Sequence, residues 1–160
     1  MIEIIEDPSY SQILTVARNM REWDRHEIFS MGVVHTPEDL TERCLNSFYK
    51  GVLRTDHPVA AFGFSGNWDG YCQAWMFAAP DWVAGALTLT KYARRSILPW
   101  LFFEAGIRRI EARSMVGHVQ AQKWMRILGA TELCKLRDYG LNGEDYLLFE
   151  LCRSDFENLK

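Results

Sequence analysis

Residues 107–130, IRRIEARSMVGHVQAQKWMRILGA, decide how this chain is read. Ile107, Ile110 and Ala112 alternate with charged residues, which predicts a half-buried strand. A short loop through Gly117 and His118 follows. Ala121, Trp124, Met125 and Leu128 then recur at three- and four-residue spacing, the core stripe of a short helix. Gly129 closes that helix, because a left-handed residue at a helix C-terminus is cheapest without a Cβ. A second strand-like run starts at Glu132.

Working back from this stretch, residues 86–103 read as the longest helix, with Pro99 expected to kink or shorten it. Before it, YCQAWMFAA (71–79) is continuous in bulky apolar residues, as a central strand should be. VLRTDHPVAAFGFSG (52–66) predicts a strand pair turning near Asp56-His57-Pro58, and GNWDG (66–70) predicts a turn with two glycines. Thr36-Pro37-Glu38-Asp39 is a helix start: a Thr cap, proline in the first turn, and acids facing the helix dipole. That helix is expected to run to about Tyr49 and to end at Gly51. Ile13, Leu14, Ala17 and Met20 mark an earlier amphipathic helix, and Ile2, Ile4 and Ile5 a first strand. Residues 21–32 lie between the two helices as a loop or a further helix. The expected class is α/β, a mixed sheet of six or seven strands with about four helices around it.

Composition narrows the function classes. The 160 residues are 48% hydrophobic and 13% aromatic, enough for a real core. One domain is expected over residues 1–153, followed by a frayed polar tail at 154–160. A net charge of −3 with interspersed signs argues against nucleic acid as a partner held by bulk electrostatics. Cys44, Cys72, Cys134 and Cys152 have neither CxxC nor zinc spacing, so reduced thiols in a cytoplasm are expected and no metal site is indicated. The apolar run at 96–107 is too short to span a bilayer, and the acidic first residues lack a signal-peptide pattern. GxSxG, HExxH, Walker and GxGxxG motifs are all missing, and Ser114 and Cys134 have no base nearby in sequence.

The strand, loop and short helix ending LGA (128–130), with the tail LRDYGLNGEDYLLFEL (136–151) and its Asn142-Gly143 turn, resemble the C-terminal half of the GNAT family of N-acetyltransferases. The run AWMFAAPDW (74–82), a basic helix and VGHVQAQKWMRILGA (116–130) are most similar to small GNAT-like proteins of short-tailed bacteriophages, of the internal virion or assembly type. The resemblance implies an acetyl-CoA site at the central strand and the helix after it. A strand amide near Met76 or Phe77 would hold the thioester carbonyl, and residues 80–90 would receive the pyrophosphate at a helix N-terminus. The family signature Q/R-x-x-G-x-G/A is replaced by DWVAGALTLTKYARR (81–95), with the single Gly85. Lys91, Arg94 and Arg95 are either compensating phosphate ligands or the solvated face of a helix, and Trp82 is the tryptophan expected beside the cofactor rather than in the core.

His118 falls where the family has a loop Asn, and Met125 where it has a tyrosine acid, so the acid's usual place is vacant. His118 is the candidate to take part of that role. Glu22, Asp24 and Glu27, with His26 among them, are candidates for binding the amine or taking its proton, or else form an exposed acidic turn. Two functions are implied. One is an acetyl-CoA-dependent N-acyltransferase acting on a primary amine, in particular of a host protein. The other is a catalytically inactive GNAT-fold phage protein serving as a structural or assembly factor or a protein-binding inhibitor. Host cytoplasm or virion is the expected location, and a second copy of the chain is carried as an expected partner.

Overall fold

A strand that must pair on both sides fixes the architecture, and YCQAWMFAA supplies it. In the computed structural model, which describes residues 1–158, this is β4 (Tyr71–Ala78). The other strands are β1 (Glu3–Glu6), β2 (Tyr49–Arg54), β3 (Pro58–Trp68), β5 (Arg109–Met115), β6 (Thr131–Leu136) and β7 (Tyr146–Cys152). They form a seven-stranded sheet in the order β1-β2-β3-β4-β5-β7-β6. Every pair is antiparallel except β4–β5, which is parallel and lasts for only three residue pairs, Tyr71↔Arg109 to Gln73↔Glu111. Beyond Gln73 the two strands part, each still held by its other neighbour. The mixed, mostly antiparallel sheet expected from the sequence is the sheet observed.

Strand alternation assigns the faces. Cys72 and Ala78 of β4, with Ile110 and Leu151, pack under α4 (Ala86–Tyr92) and α5 (Leu98–Phe103) through Leu89, Leu98, Leu101 and Phe102. α6 (Val119–Ile127) adds Trp124 and Leu128 to the same face. Phe77, Val52 and Ala61 pack on the other face against α1 (Tyr10–Asn19) and α3 (Pro37–Leu45), through Ile13, Val16, Ala17, Leu40 and Cys44. α1 begins with a capping box between Ser9 and Gln12, and α3 with the expected Thr36 cap on the Asp39 amide. Residues 21–32 resolve into α2 (Glu22–Phe29).

Several expectations are corrected. α3 ends at Leu45, and Gly51 lies inside β2, where the Phe62 ring occupies the space a Cβ would need. Gly66 belongs to β3, and the turn to β4 is made at Asp69 and Gly70, the latter with φ of 81°. Residues 86–103 are helical as expected, but Pro99 is accommodated by a π-turn at Ala93–Ile97 that sets it in the first turn of α5. In the expected tail, α7 (Arg153–Glu157) forms, with Phe156 buried against Phe102 and Phe103, and positions 159–160 lie outside the described residues. No helix among the described residues is long and apolar enough to cross a membrane.

Candidate active site

The parting of β4 and β5 leaves strand amides without a ladder partner, and α2 meets two of them. Asp24 Oδ2 accepts from the Ala78 N–H at 2.9 Å, and Glu27 Oε1 accepts from the Met115 N–H at 2.9 Å. The Ala78 carbonyl in turn accepts from the Arg21 N–H at 2.8 Å. One helix therefore clamps the ends of both diverging strands. The clamp works because 24 and 27 share a helix face, which turns Glu22 and His26 outward into solvent.

His118 links the two carboxylates. It is the N-cap residue of α6, 2% exposed, with Nδ1 at 2.5 Å from Glu27 Oε2 and Nε2 at 3.3 Å from Asp24 Oδ1. Trp23 stacks on its ring, with centroids 5.8 Å apart, and occupies the space beside Gly117. Arg21 closes the cluster with Nε and Nη2 on the two Asp24 oxygens, at 2.9 and 3.0 Å. Both ring nitrogens face carboxylate oxygens, so the imidazole bridges the two acids. Burial raises the Asp24 carboxyl above its ordinary value, against the opposing pull of Arg21, the Ala78 N–H and His118.

Asp24, Glu27 and His118 can each offer a ligand atom within 4.8 Å of the others, as a metal site requires. All four carboxylate oxygens already meet nitrogen donors, however, and both imidazole nitrogens are engaged. A cation would have to displace those donors, and the set does not call for one. Cys44 and Cys72 are no alternative nucleophiles, since burial pushes both up to about 12.

A cavity of about 470 Å³ occupies the opening between the strands and is lined from both faces of the sheet. Met76, Trp82, Leu89, Trp124 and Met125 line it on the α4–α6 side; Arg43, Ser47, Gln73, Trp75 and Arg113 line it on the α1–α3 side. Asp24, Glu27 and His118 line it at the strand ends. The Ala78 amide points away from β3, so the two-residue period turns the Met76 amide the same way, toward the cavity. Phe77 lies in the other phase, with its side chain buried in the α1–α3 core and Ala61 of β3 opposite it.

Of the other residues singled out in the sequence, Trp82 both packs into the core and lines the cavity, 8% exposed, edge-on to Trp124 and beneath the Arg21 guanidinium. Gly85 is buried at the end of a 3₁₀ turn (Pro80–Gly85), where a Cβ would meet the Leu53 side chain. Its lack of a side chain serves packing against β2. Lys91, Arg94 and Arg95 are exposed. The first turn of the phosphate segment holds Pro80, which has no N–H, and Asp81, paired with His57 at 3.0 Å. The Met76 amide thus faces the cavity, whereas the segment that follows β4 forms no glycine cradle.

No family model matches this sequence, and no curated protein matches it. Solved structures do. An acetyltransferase of the GNAT family from Bacillus anthracis superposes with a TM-score of 0.71 at 13% identity, over 96% of this chain and 95% of that one. The ribosomal-protein-S5-alanine acetyltransferase from Vibrio fischeri gives 0.70 at 16% identity, over 97% and 93%. A spermidine N-acetyltransferase from Vibrio cholerae gives 0.67 at 15% identity, over 99% and 97%. Nearly complete coverage of both chains, together with the short parallel pairing of β4 and β5, shows that this chain has the GNAT fold.

Proposed function

We propose that this protein is an acetyl-CoA-dependent N-acyltransferase acting on a primary amine, phage-encoded and directed at an amine of a host protein. The observation that carries this reading is the cavity through the β4–β5 opening, lined from both faces of the sheet, with a carboxylate–imidazole cluster at the strand ends. The thioester supplies an activated acyl carbon. The Met76 N–H polarises its carbonyl oxygen, a role that needs only a fixed dipole in a dry site. As the amine nitrogen bonds to the acyl carbon and the carbon–sulfur bond breaks, the surplus amine proton passes to the Asp24–His118–Glu27 cluster. A proton from the same cluster reaches the departing thiolate, because Met125 has none to give. Bringing the two substrates together from opposite faces supplies much of the rate.

Titration calorimetry of the purified protein with acetyl-CoA tests this. Micromolar binding is expected, lost in Ala112→Trp, which fills the cavity, while the thermal melt shows that the variant is folded. Absence of binding at millimolar ligand would sink the proposal.

One observation favours a second reading, a non-catalytic protein that acts through a partner. The Trp124 indole N–H donates to Thr90 Oγ1 at 2.8 Å and ties α6 to the C-terminal part of α4 across the α4–α6 side of the cavity. If that tie closes the route, only Trp124→Ala will bind acetyl-CoA.

A further inference from the structure

The α1–α3 side of the cavity carries a cation whose hydrogen bonding is incomplete. Arg109 lies between the two carboxylates of this face: its Nε donates to Glu111 Oε2 at 2.8 Å and its Nη1 to Glu150. Tyr71 donates to the remaining Glu111 oxygen at 2.9 Å. The acids of the floor are therefore met by Arg109 and Tyr71. Arg113, two residues further along β5, reaches Glu111 only at 3.9 Å, and its Nε is buried with no hydrogen-bond partner. A buried donor left unmade costs about 1–3 kcal/mol, so the position needs an explanation.

Its place supplies one. β5 is level with β4 from Tyr71↔Arg109 to Gln73↔Glu111, so continuing the register sets Arg113 level with Trp75, one residue short of Met76. The alternation puts it on the α1–α3 face, opposite the side of α4 and α6, and it lines the cavity there. Arg43 adds a second cation to that lining. Nε itself is enclosed, so the part of Arg113 that a ligand in the cavity can meet is the outer edge of its partly exposed guanidinium, which matches a planar anion on the acceptor.

We infer that the acceptor carries a carboxylate a few bonds from its reacting amine, as in a free amino acid or a peptide N-terminus next to an acidic group, and that Arg113 binds it. A polyamine would bring further positive charge to Arg113 and Arg43, although Asp24, Glu27 and Glu150 share the lining, so spermidine is the ligand that opposes the assignment. The inference rests on the transferase reading for its reaction but not for its binding.

The test is calorimetric binding of glycylglycine, glycylglycinamide and spermidine to the wild type, Arg113→Lys and Arg113→Gln. Glycylglycine should bind the wild type at least about tenfold more tightly than its amide, the worth of one charge-assisted hydrogen bond. Arg113→Gln should erase that ratio and Arg113→Lys should restore part of it. Spermidine should not compete. Equal binding of dipeptide and amide by the wild type, or tighter binding of spermidine, overturns the assignment even if no variant folds. Dipeptide discrimination without acetyl-CoA binding would keep the anion site and remove the transferase.

Discussion

On the α4–α6 side, the opening between β4 and β5 is walled by Trp82, Leu89, Trp124 and Met125; on the α1–α3 side it is bordered by Gln73, Arg113 and Arg43, with Asp24, Glu27 and His118 at the strand ends. The first wall is held by ring contacts and one indole hydrogen bond, the second by charges that share backbone amides. The difference separates an aromatic wall, with no glycine cradle after β4 and a methionine at 125, from a polar side whose carboxylates tie strand amides to α2. If that is correct, the costliest change in stability should fall on the polar side, and only changes on the aromatic side should alter access.

The largest effect is expected from Glu27→Ala, which leaves the Met115 N–H and His118 without their carboxylate. A broken buried pair costs about 3–5 kcal/mol, read as a fall in the urea midpoint. Trp82→Ala should cost about 3 kcal/mol through lost packing, a little less than the polar deletion; a larger loss would reverse the comparison. Trp124→Phe keeps most of the ring and drops only the bond to Thr90. It should cost about 1 kcal/mol while raising acetyl-CoA affinity, whereas unchanged affinity would show that the tie does not gate the cavity.

The smallest effect is a slope with pH. Because burial raises the Asp24 carboxyl, the native state holds its proton to higher pH than the unfolded chain does. Stability contributed by that proton is full below the ordinary Asp value and falls as pH rises through the raised native one. Asp24→Asn should flatten this decline in urea midpoints measured upward from about pH 4.

Most of the fold was legible because it rests on local periods. The strand at 71–78, the helix stripe of Ala121, Trp124 and Leu128, and the left-handed Gly129, with φ of 102°, all obey short-range rules. Gly51 misled because glycine also serves where a neighbouring ring needs room, and Phe62 is far from it in sequence. At the site, the i,i+3 spacing of Asp24 and Glu27 could have separated them from Glu22, since only residues on one helix face can turn inward together. Their meeting with His118, 91 residues from Glu27, has no local signal. Arg113 was hidden for a related reason. In the sequence it is one more charge in an alternating strand, and only the early end of the β4–β5 pairing sets it beside a cavity.

The π-turn before Pro99 fixes how the chain tolerates changes of length. A π-turn is a helix carrying one surplus residue, and in a regular helix each residue rotates the next by about 100° around the axis. Deleting any one residue of Ala93–Ile97 would return the segment to α-geometry. It would also set Pro99 against an ordinary i→i−4 bond, while Leu101 and Phe102 keep their phase because the wide turn already absorbs the surplus residue. Exposed substitutions at Arg94 and Arg95 leave that phase unchanged. This segment is therefore constrained by residue count more than by residue identity, and a scan of single deletions would find it where a scan of single substitutions would not.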